Sequence, residues 1–313
     1  MKSMLKKHQI QNFKTYSGLE LKEVTVSFQT LGRKLNDAPI VILNHALTGN
    51  SDILNRETGW WRALIGDGKL FDTTEYTIIV FNILGNGYDG KLIDDYKSFT
   101  VKDIAKTWQI TLDSLNVDKV YAMVGGSLGG SIAWEFAALR QDYLKNLIPI
   151  ATDVIPSNWL IAFTFAQESI LLNSKKPLED ARKMAMLFYR NPNSFSRKFK
   201  EKVEKGVFAV ESWLDYHGEL LNDRYSVKAY LMMNHLMKTV NVGLDELKKI
   251  DARITQIGVS SDFLYPKDEM LKTKLDLEEL NIENDYFEIK SFDGHDAFLI
   301  EQKQITKFLT HLF

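Results

Sequence analysis

Ser127 sits in the run Val124-Gly125-Gly126-Ser127-Leu128-Gly129-Gly130, a G-x-S-x-G pattern with an extra glycine inside it and another just after it. A serine hydroxyl becomes a useful nucleophile only when a base removes its proton and a carboxylate orients the base. The flanks decide whether this serine is set up for that. Val120 to Val124 is apolar and reads as a buried strand, while Ile132, Ala133, Phe136, Ala137 and Leu139 have the spacing of a core-facing helix. Strand, tight turn and helix form a nucleophile elbow. Gly125 and Gly129 remove side chains where strand and helix backbones crowd together, and Ser127 is pushed into an exposed, strained position. The backbone N–H of Leu128, at the start of the helix, is then free to face an oxyanion. The chemistry such a serine could do is nucleophilic attack, with the developing oxyanion held at the helix start.

Scaffolds that carry such elbows place the acid and then the histidine after the serine. Of the six histidines, His8 and His45 precede Ser127, His217 and His235 fall in a helical stretch, and His311 lies in the final helix. His295, in Ser291-Phe292-Asp293-Gly294-His295-Asp296-Ala297, occupies a loop between the last strand and the last helix and is the expected base. The acid should leave the preceding strand, Ile254 to Val259, and Asp262 is the first carboxylate after it. Asp268 and Glu269 follow beyond Pro266 and read as surface charges of the next helix. The loop Asn44-His45-Ala46-Leu47-Thr48-Gly49 leaves the carboxyl end of another strand, where open α/β sheets bind ligands. His45 is expected to satisfy loop backbone groups, and the N–H of Leu47 to be the second oxyanion donor.

The elements that must hold these residues alternate. Leu21 to Leu31 reads as an antiparallel edge strand. Ile40 to Leu43, Tyr76 to Phe81 and Leu144 to Ala151 read as buried strands, and Val101 to Leu115 as a helix. Gly59 to Gly66, with Trp60 and Trp61, is expected to be a short helix packed on the core. The glycine-rich loop Asn82 to Gly90 lacks the Lys-Ser/Thr that a phosphate-cradling loop needs. This order predicts an α/β fold, a mostly parallel central sheet with helices on both faces. From about Ile155 to Ile250 only helical patterns occur: Ser157 caps a helix to Leu172, Pro177 opens one to Arg190, and Asn222 caps one running through Val240. Tyr286 to Ile289 is the last strand and Glu301 to Leu312 the last helix. The expected organisation is a core of residues 1–152 and 253–313 with an all-helical lid, 153–252, inserted in it.

Composition narrows the partners. A net charge of −2 gives no reason to expect nucleic acid or an anionic membrane. The absence of cysteine excludes disulfides, a thiol nucleophile and thiolate metal sites. No metal or bound cofactor is expected. The basic but soon polar N-terminal stretch lacks an apolar signal region, and the longest apolar runs are strand-sized, so a cytoplasmic protein is expected.

Six segments together resemble the homoserine O-acyltransferase family of the α/β-hydrolase fold. They are His45-Ala46-Leu47-Thr48-Gly49, Gly59-Trp60-Trp61, Asn82-Ile83-Leu84-Gly85, Gly125 to Gly130, Ser261-Asp262-Phe263-Leu264-Tyr265-Pro266 and Gly294-His295-Asp296-Ala297-Phe298-Leu299. The resemblance implies transfer of an acetyl group from acetyl-CoA to the hydroxyl of L-homoserine by a ping-pong acyl-serine mechanism in methionine biosynthesis. It also implies the triad Ser127, Asp262, His295 and a homodimer joined through lid helices; Met232, Met233, Leu236 and Met237 offer apolar surface for that, or equally for the lid's own core. Arg182 matches the family's substrate-carboxylate ligand. Its neighbours Leu178, Ala185 and Met186 make it interrupt an apolar stripe, which leaves two readings: an anion ligand, or an intrahelical pair with Glu179. Asp296 matches the ammonium ligand; capping of the last helix is its other reading. The segment after Asn82-Ile83-Leu84-Gly85 is shorter than usual in the family, and Leu128 stands where methionine is common. These departures touch the rim of the site, so an esterase with water as acceptor and a homoserine O-succinyltransferase remain the alternatives. A basic excess from Lys175 to Lys205 suits CoA phosphates or a solvated helix face.

Overall fold

Strands that are buried on both faces must be apolar throughout, and this requirement shapes the centre of the molecule. The structure, a computed structural model, describes residues 4–57, 59–200, 203–204 and 206–313. Its strands are β1 (Lys6–Lys14), β2 (Glu20–Gly32), β3 (Ile40–Asn44), β4 (Thr77–Phe81), β5 (Val120–Gly126), β6 (Leu144–Ile150), the short β7 (Val203–Glu204) and β8 (Val207–Phe208), β9 (Arg253–Val259) and β10 (Asn284–Ile289). Eight of them form one sheet in the order β1-β2-β4-β3-β5-β6-β9-β10. β2 runs antiparallel to β1 and β4, and the remaining neighbours are parallel. The register sets Asn44 beside Gly125, Gly126 beside Ile150 and Val259 beside Ile289. The chain therefore leaves β3, β5, β6, β9 and β10 along one edge of the sheet, and the predicted site loops meet there.

The helices are α1 (Val101–Ser114), α2 (Leu128–Leu139), α3 (Asn158–Asn173), α4 (Pro177–Tyr189), α5 (Pro192–Phe199), α6 (Ala209–Asn222), α7 (Val227–Met237), α8 (Leu244–Leu247), α9 (Lys267–Glu279), α10 (Ala297–Ile300) and α11 (Gln302–Leu309). Alternate strand residues feed two cores. Ile42, Phe81, Met123 and Leu147 pack with Trp108 of α1 and Ile132 of α2 on one face. Leu43, Val80, Val124 and Ile148 pack with Ile305 and Leu309 of α11 on the other. Trp108 stacks on Phe81 with ring centroids 4.9 Å apart. Helices α3 to α8 and the β7–β8 hairpin all fall between β6 and β9.

Four expectations need correction. β2 is not an edge strand: β1 covers it, although only Ile10 and Phe13 of β1 are buried, too little for an apolar pattern to show. Residues 59–66 form turns and a bridge from Ile65 to Phe71, not a helix; Trp61 is nonetheless fully buried. The helical stretch contains the β7–β8 hairpin, closed by a left-handed Gly206. Asn222 ends α6, and the cap of the next helix is Ser226, whose hydroxyl accepts the Ala229 N–H at 3.2 Å. Of the two readings of Met232, Met233, Leu236 and Met237, the core one holds: all four are fully buried. Of the basic segment, Glu201, Lys202 and Lys205 lie outside the described residues, as do Met1, Lys2 and Ser3 of the N-terminal stretch.

The Ser226 cap is open to a direct check. Ser226→Ala is expected to lower unfolding stability by about 1 kcal/mol. Asn222→Ala, which caps nothing, should leave the urea midpoint nearly unchanged.

Candidate active site

Ser127 joins β5 to α2 with φ 55° and ψ −128°, in the left-handed region that a side chain tolerates only under constraint. The constraint is visible in its neighbours. A Cβ on Gly125 would run into the carbonyl of Gly129, and one on Gly129 would lie 2.7 Å from the carbonyl oxygens of both Asn44 and His45. The Asn44 side-chain amide donates to Gly129 O at 2.9 Å, and Ser127 N–H donates to Ile150 O at 2.9 Å. The turn is thus held from β3 and from β6. The N–H groups of Leu128 and Leu47, expected as oxyanion donors, have no acceptor among the described residues. Both residues have buried side chains.

His295 and Asp262 come together as the sequence predicts, with Nδ1 of the imidazole 2.7 Å from Oδ2 of the carboxylate. The other oxygen of Asp262 accepts the N–H groups of Leu264 and Tyr265 at 2.8 and 2.9 Å. With Oδ1 taken by two backbone N–H groups and Oδ2 facing the ring, the pairing has Nδ1–H donate to the carboxylate and leaves Nε2 free. Phe298 connects this pair to the elbow: it packs 5.3 Å from the imidazole, and a Cβ on Gly126 would strike its ring. Tyr265 is a second connection. Its ring stacks on His295 at 5.4 Å, and its hydroxyl lies beside Ser127 and Ser131 without a well-aligned hydrogen bond to either. Ser127 Oγ and His295 do not bond directly here, a looseness common before substrate arrives.

His45 serves structure, as expected. Its Nδ1–H donates to Ala46 O at 2.8 Å and its Nε2 accepts the Ile83 N–H at 3.1 Å, an arrangement open only to the neutral ring. Complete burial pulls its pKa down to about 4.

Arg182, on α4, forms no ion pair among the described residues. Glu179, the alternative partner, pairs with Lys176 at 2.9 Å. The guanidinium lies 5.5 Å from the centre of the Tyr189 ring, which in turn packs 5.8 Å from His295. A partly buried cation with no anion is thus brought toward the catalytic histidine. Asp296 is placed less simply. Its Oδ2 lies 3.0 Å from Nε of Arg190, off the N–H axis, and Arg190 also bonds Asp293 at 2.9 Å. Burial raises the Asp296 pKa, while Arg190, Arg182 and His295 oppose that rise.

Two residues escaped the sequence reading. Tyr265 was seen only as part of a motif, and nothing in the pattern says that its ring faces His295. Asp153 ends the β6 exit Ile150-Ala151-Thr152-Asp153 and is buried without a hydrogen bond to Oδ1. Burial, with Glu269 and Asp262 nearby, holds its carboxyl well above the ordinary carboxylate range. Its place directly after a buried strand was the signal available.

Comparison with known proteins follows from this geometry. The family described as alpha/beta hydrolase fold matches residues 39–227. The homoserine O-acetyltransferase of Chloroherpeton thalassium is 32% identical over an alignment that covers 96% of this chain and 88% of that protein. Among solved structures, the homoserine O-acetyltransferase from Bacillus anthracis superposes with a TM-score of 0.88 at 16% identity, covering 99% of this chain and 98% of that one. An acetylester hydrolase from Corynebacterium glutamicum superposes with a TM-score of 0.82 at 16% identity, covering 99% and 95%. At such identities the two structures speak for the fold alone.

The burial of His45 has a consequence for acid stability. In the unfolded chain its pKa is the ordinary 6.5, and in the folded protein it is about 4. Between these values the unfolded state binds a proton that the folded state refuses, so this contribution to stability falls as pH drops from 6.5 to 4 and is constant below. The stability gap between wild type and His45→Asn is therefore expected to narrow by about 3 kcal/mol from pH 7 to pH 4. Urea unfolding at both pH values measures it; a gap independent of pH would show that His45 is not held neutral.

Proposed function

The chain belongs to the homoserine O-acetyltransferase family, on the α/β-hydrolase fold, and from that premise we propose that it moves an acetyl group from acetyl-CoA to the hydroxyl of L-homoserine. The observation that carries this reading is the buried Asp262–His295 pair, linked to the elbow serine through Tyr265 and Phe298, with the unpaired Arg182 approaching from the helical insertion.

In the first step Nε2 of His295 takes the proton of Ser127 Oγ as the oxygen attacks the thioester carbonyl. The C–S bond breaks, His295 returns the proton to the departing thiolate, and Ser127 is left as an acetyl ester. The N–H groups of Leu47 and Leu128 receive the oxyanion, each worth about 3–4 kcal/mol in comparable sites. In the second step the homoserine hydroxyl gives its proton to His295 and attacks the ester carbonyl; the C–Oγ bond breaks, His295 returns the proton to Ser127 Oγ, and O-acetylhomoserine leaves. Arg182 holds the substrate carboxylate in bidentate fashion. Asp296 receives the ammonium through the oxygen that Arg190 leaves open. The insertion acts as a lid that excludes water, the competing acceptor. The product would enter methionine biosynthesis in the cytoplasm. Among the described residues no helix is long and apolar enough to cross a membrane. Dimerisation through the insertion is part of this reading, with α3 supplying the surface: Trp159, Ile161, Phe165 and Leu172 are exposed along it.

Hydrolysis by water is the second reading. The ion pair between Arg190 and Asp296 favours it, because a carboxylate already neutralised is a weaker ammonium ligand. Thiol release from acetyl-CoA, with and without L-homoserine, separates the two. Release that depends on homoserine is expected; equal release in both reactions would leave a hydrolase. Release from succinyl-CoA alone would move the donor assignment. Ser127→Ala is expected to abolish release, and Arg182→Ala to raise the KM for homoserine by roughly tenfold to a hundredfold. In the same Arg182 variant, acetylation of Ser127 by p-nitrophenyl acetate should be unchanged.

A further inference from the structure

An oxyanion donor is useful only if its peptide plane is aimed before the reaction begins. Three successive planes run through the Leu47 loop, and each is held by a different side chain. The Ala46 carbonyl, which shares a rigid plane with Leu47 N–H, accepts from His45 Nδ1 at 2.8 Å and from Gly49 N–H at 3.0 Å. His45 acts on that plane from within the loop, whereas Gly49 N–H shares its own peptide plane with the Thr48 carbonyl. The next two planes are held from outside the loop. The Leu47 carbonyl accepts the hydroxyl of Tyr225 at 3.0 Å, and the Thr48 carbonyl accepts Nη1 of Arg224 at 2.8 Å. These donors come from the turn between α6 and α7, 178 and 176 residues away in the chain.

We propose that Tyr225 and Arg224 are positioning residues: the helical insertion clamps the oxyanion loop, and the plane of the Leu47 N–H is steadied through Gly49 by the peptide that Arg224 grips. This inference rests on Leu47 and Leu128 being the oxyanion donors.

Three further observations support it. Among the described residues the Leu47 carbonyl has no donor other than Tyr225, so the bond has no backup within the loop. Arg224 has no ion pair among the described residues, which leaves its carbonyl and hydroxyl contacts with Thr48 as its polar anchorage. The Leu47 side chain is buried, but the backbone after it borders open space. A cavity of about 460 Å³ lies against Thr48, Gly49, Asn50, Asn86, Arg224 and Tyr225. Beside such a space, hydrogen bonds take a larger share in fixing the Thr48 to Asn50 backbone. The clamp also explains how a single element serves both partners of the reaction. The insertion carries Arg182 for the acceptor and, through Tyr225 and Arg224, steadies the loop whose Leu47 N–H would polarise the acyl carbonyl.

The test uses the full chain and p-nitrophenyl acetate, which acetylates Ser127 without CoA or homoserine. Failure of the homoserine reading therefore leaves this measurement intact. Tyr225→Phe keeps the ring and removes one hydroxyl; Arg224→Gln and the double variant complete the set. The burst rate of Ser127 acetylation is expected to fall about tenfold in Tyr225→Phe and further in the double variant. Ester KM should change little, and the thermal midpoint of Tyr225→Phe should stay near that of wild type. A phenylboronic acid, whose tetrahedral serine adduct occupies the oxyanion site, should bind more weakly by a similar factor. Burst rates within twofold of wild type in all variants would overturn the clamp. So would a slowed burst with unchanged boronate affinity, which would mark the two residues as structural only.

Discussion

The contact on which the site depends is the near-collision of two backbones, the exit of β3 and the first turn of α2. Gly129 has the carbonyl oxygens of Asn44 and His45 where a side chain would begin, and Gly125 faces the carbonyl of Gly129 in the same way. Only glycine permits this approach. Everything chemical follows from it. The approach brings the Leu47 loop to the amino end of α2, so that two unpaired N–H groups from separate elements lie at the elbow. It also holds Ser127 in its strained turn, with the parallel register of β5 and β6 taking up the Ser127 N–H through Ile150.

Around that turn the protein manages charge by burial. Asp262 accepts from two backbone N–H groups and faces the His295 imidazole. His45 is pressed into its neutral form and works as a hydrogen-bonding strut between two loops. Asp153, with no cation beside it, is likewise driven toward its neutral form. The cations enter from the insertion, where Arg182 has no carboxylate and Arg190 is shared by Asp293 and Asp296. The catalytic centre is thus an acid-rich floor under a basic cover, a polarity suited to an amphoteric amino acid and an anionic thioester.

The insertion does more than cover the floor. Its turn between α6 and α7 grips the carbonyls of Leu47 and Thr48, and Tyr189 of α4 packs toward His295. Transfer to an alcohol in competition with water demands that closure and catalytic alignment occur together. Shared hydrogen bonds between cover and oxyanion loop are a simple physical way to join them.

How much of this was legible in the sequence depends on the range of the interaction involved. The elbow, the buried strands and the order serine, acid, histidine are written in local patterns: apolar runs, glycine spacing and the first carboxylate after a strand. Those features alone led to Ser127, Asp262 and His295 and to a mostly parallel sheet. Local pattern failed where local signals were weak or misleading. β1 has two buried residues and is a strand because β2 offers it hydrogen bonds; Trp60 and Trp61 looked like a helix but sit in turns held by core packing. The partner of Asp296, the hydroxyl that reaches Leu47 and the ring that stacks on His295 come from residues distant in sequence, and their side chains could have faced elsewhere at no local cost. The sequence by itself determined the elbow serine, the candidate Asp262–His295 pair and the fold class, because each is encoded within a turn or a strand. Which charges pair, which stay free and what aims the oxyanion loop were decided only by tertiary structure, because those outcomes depend on long-range packing.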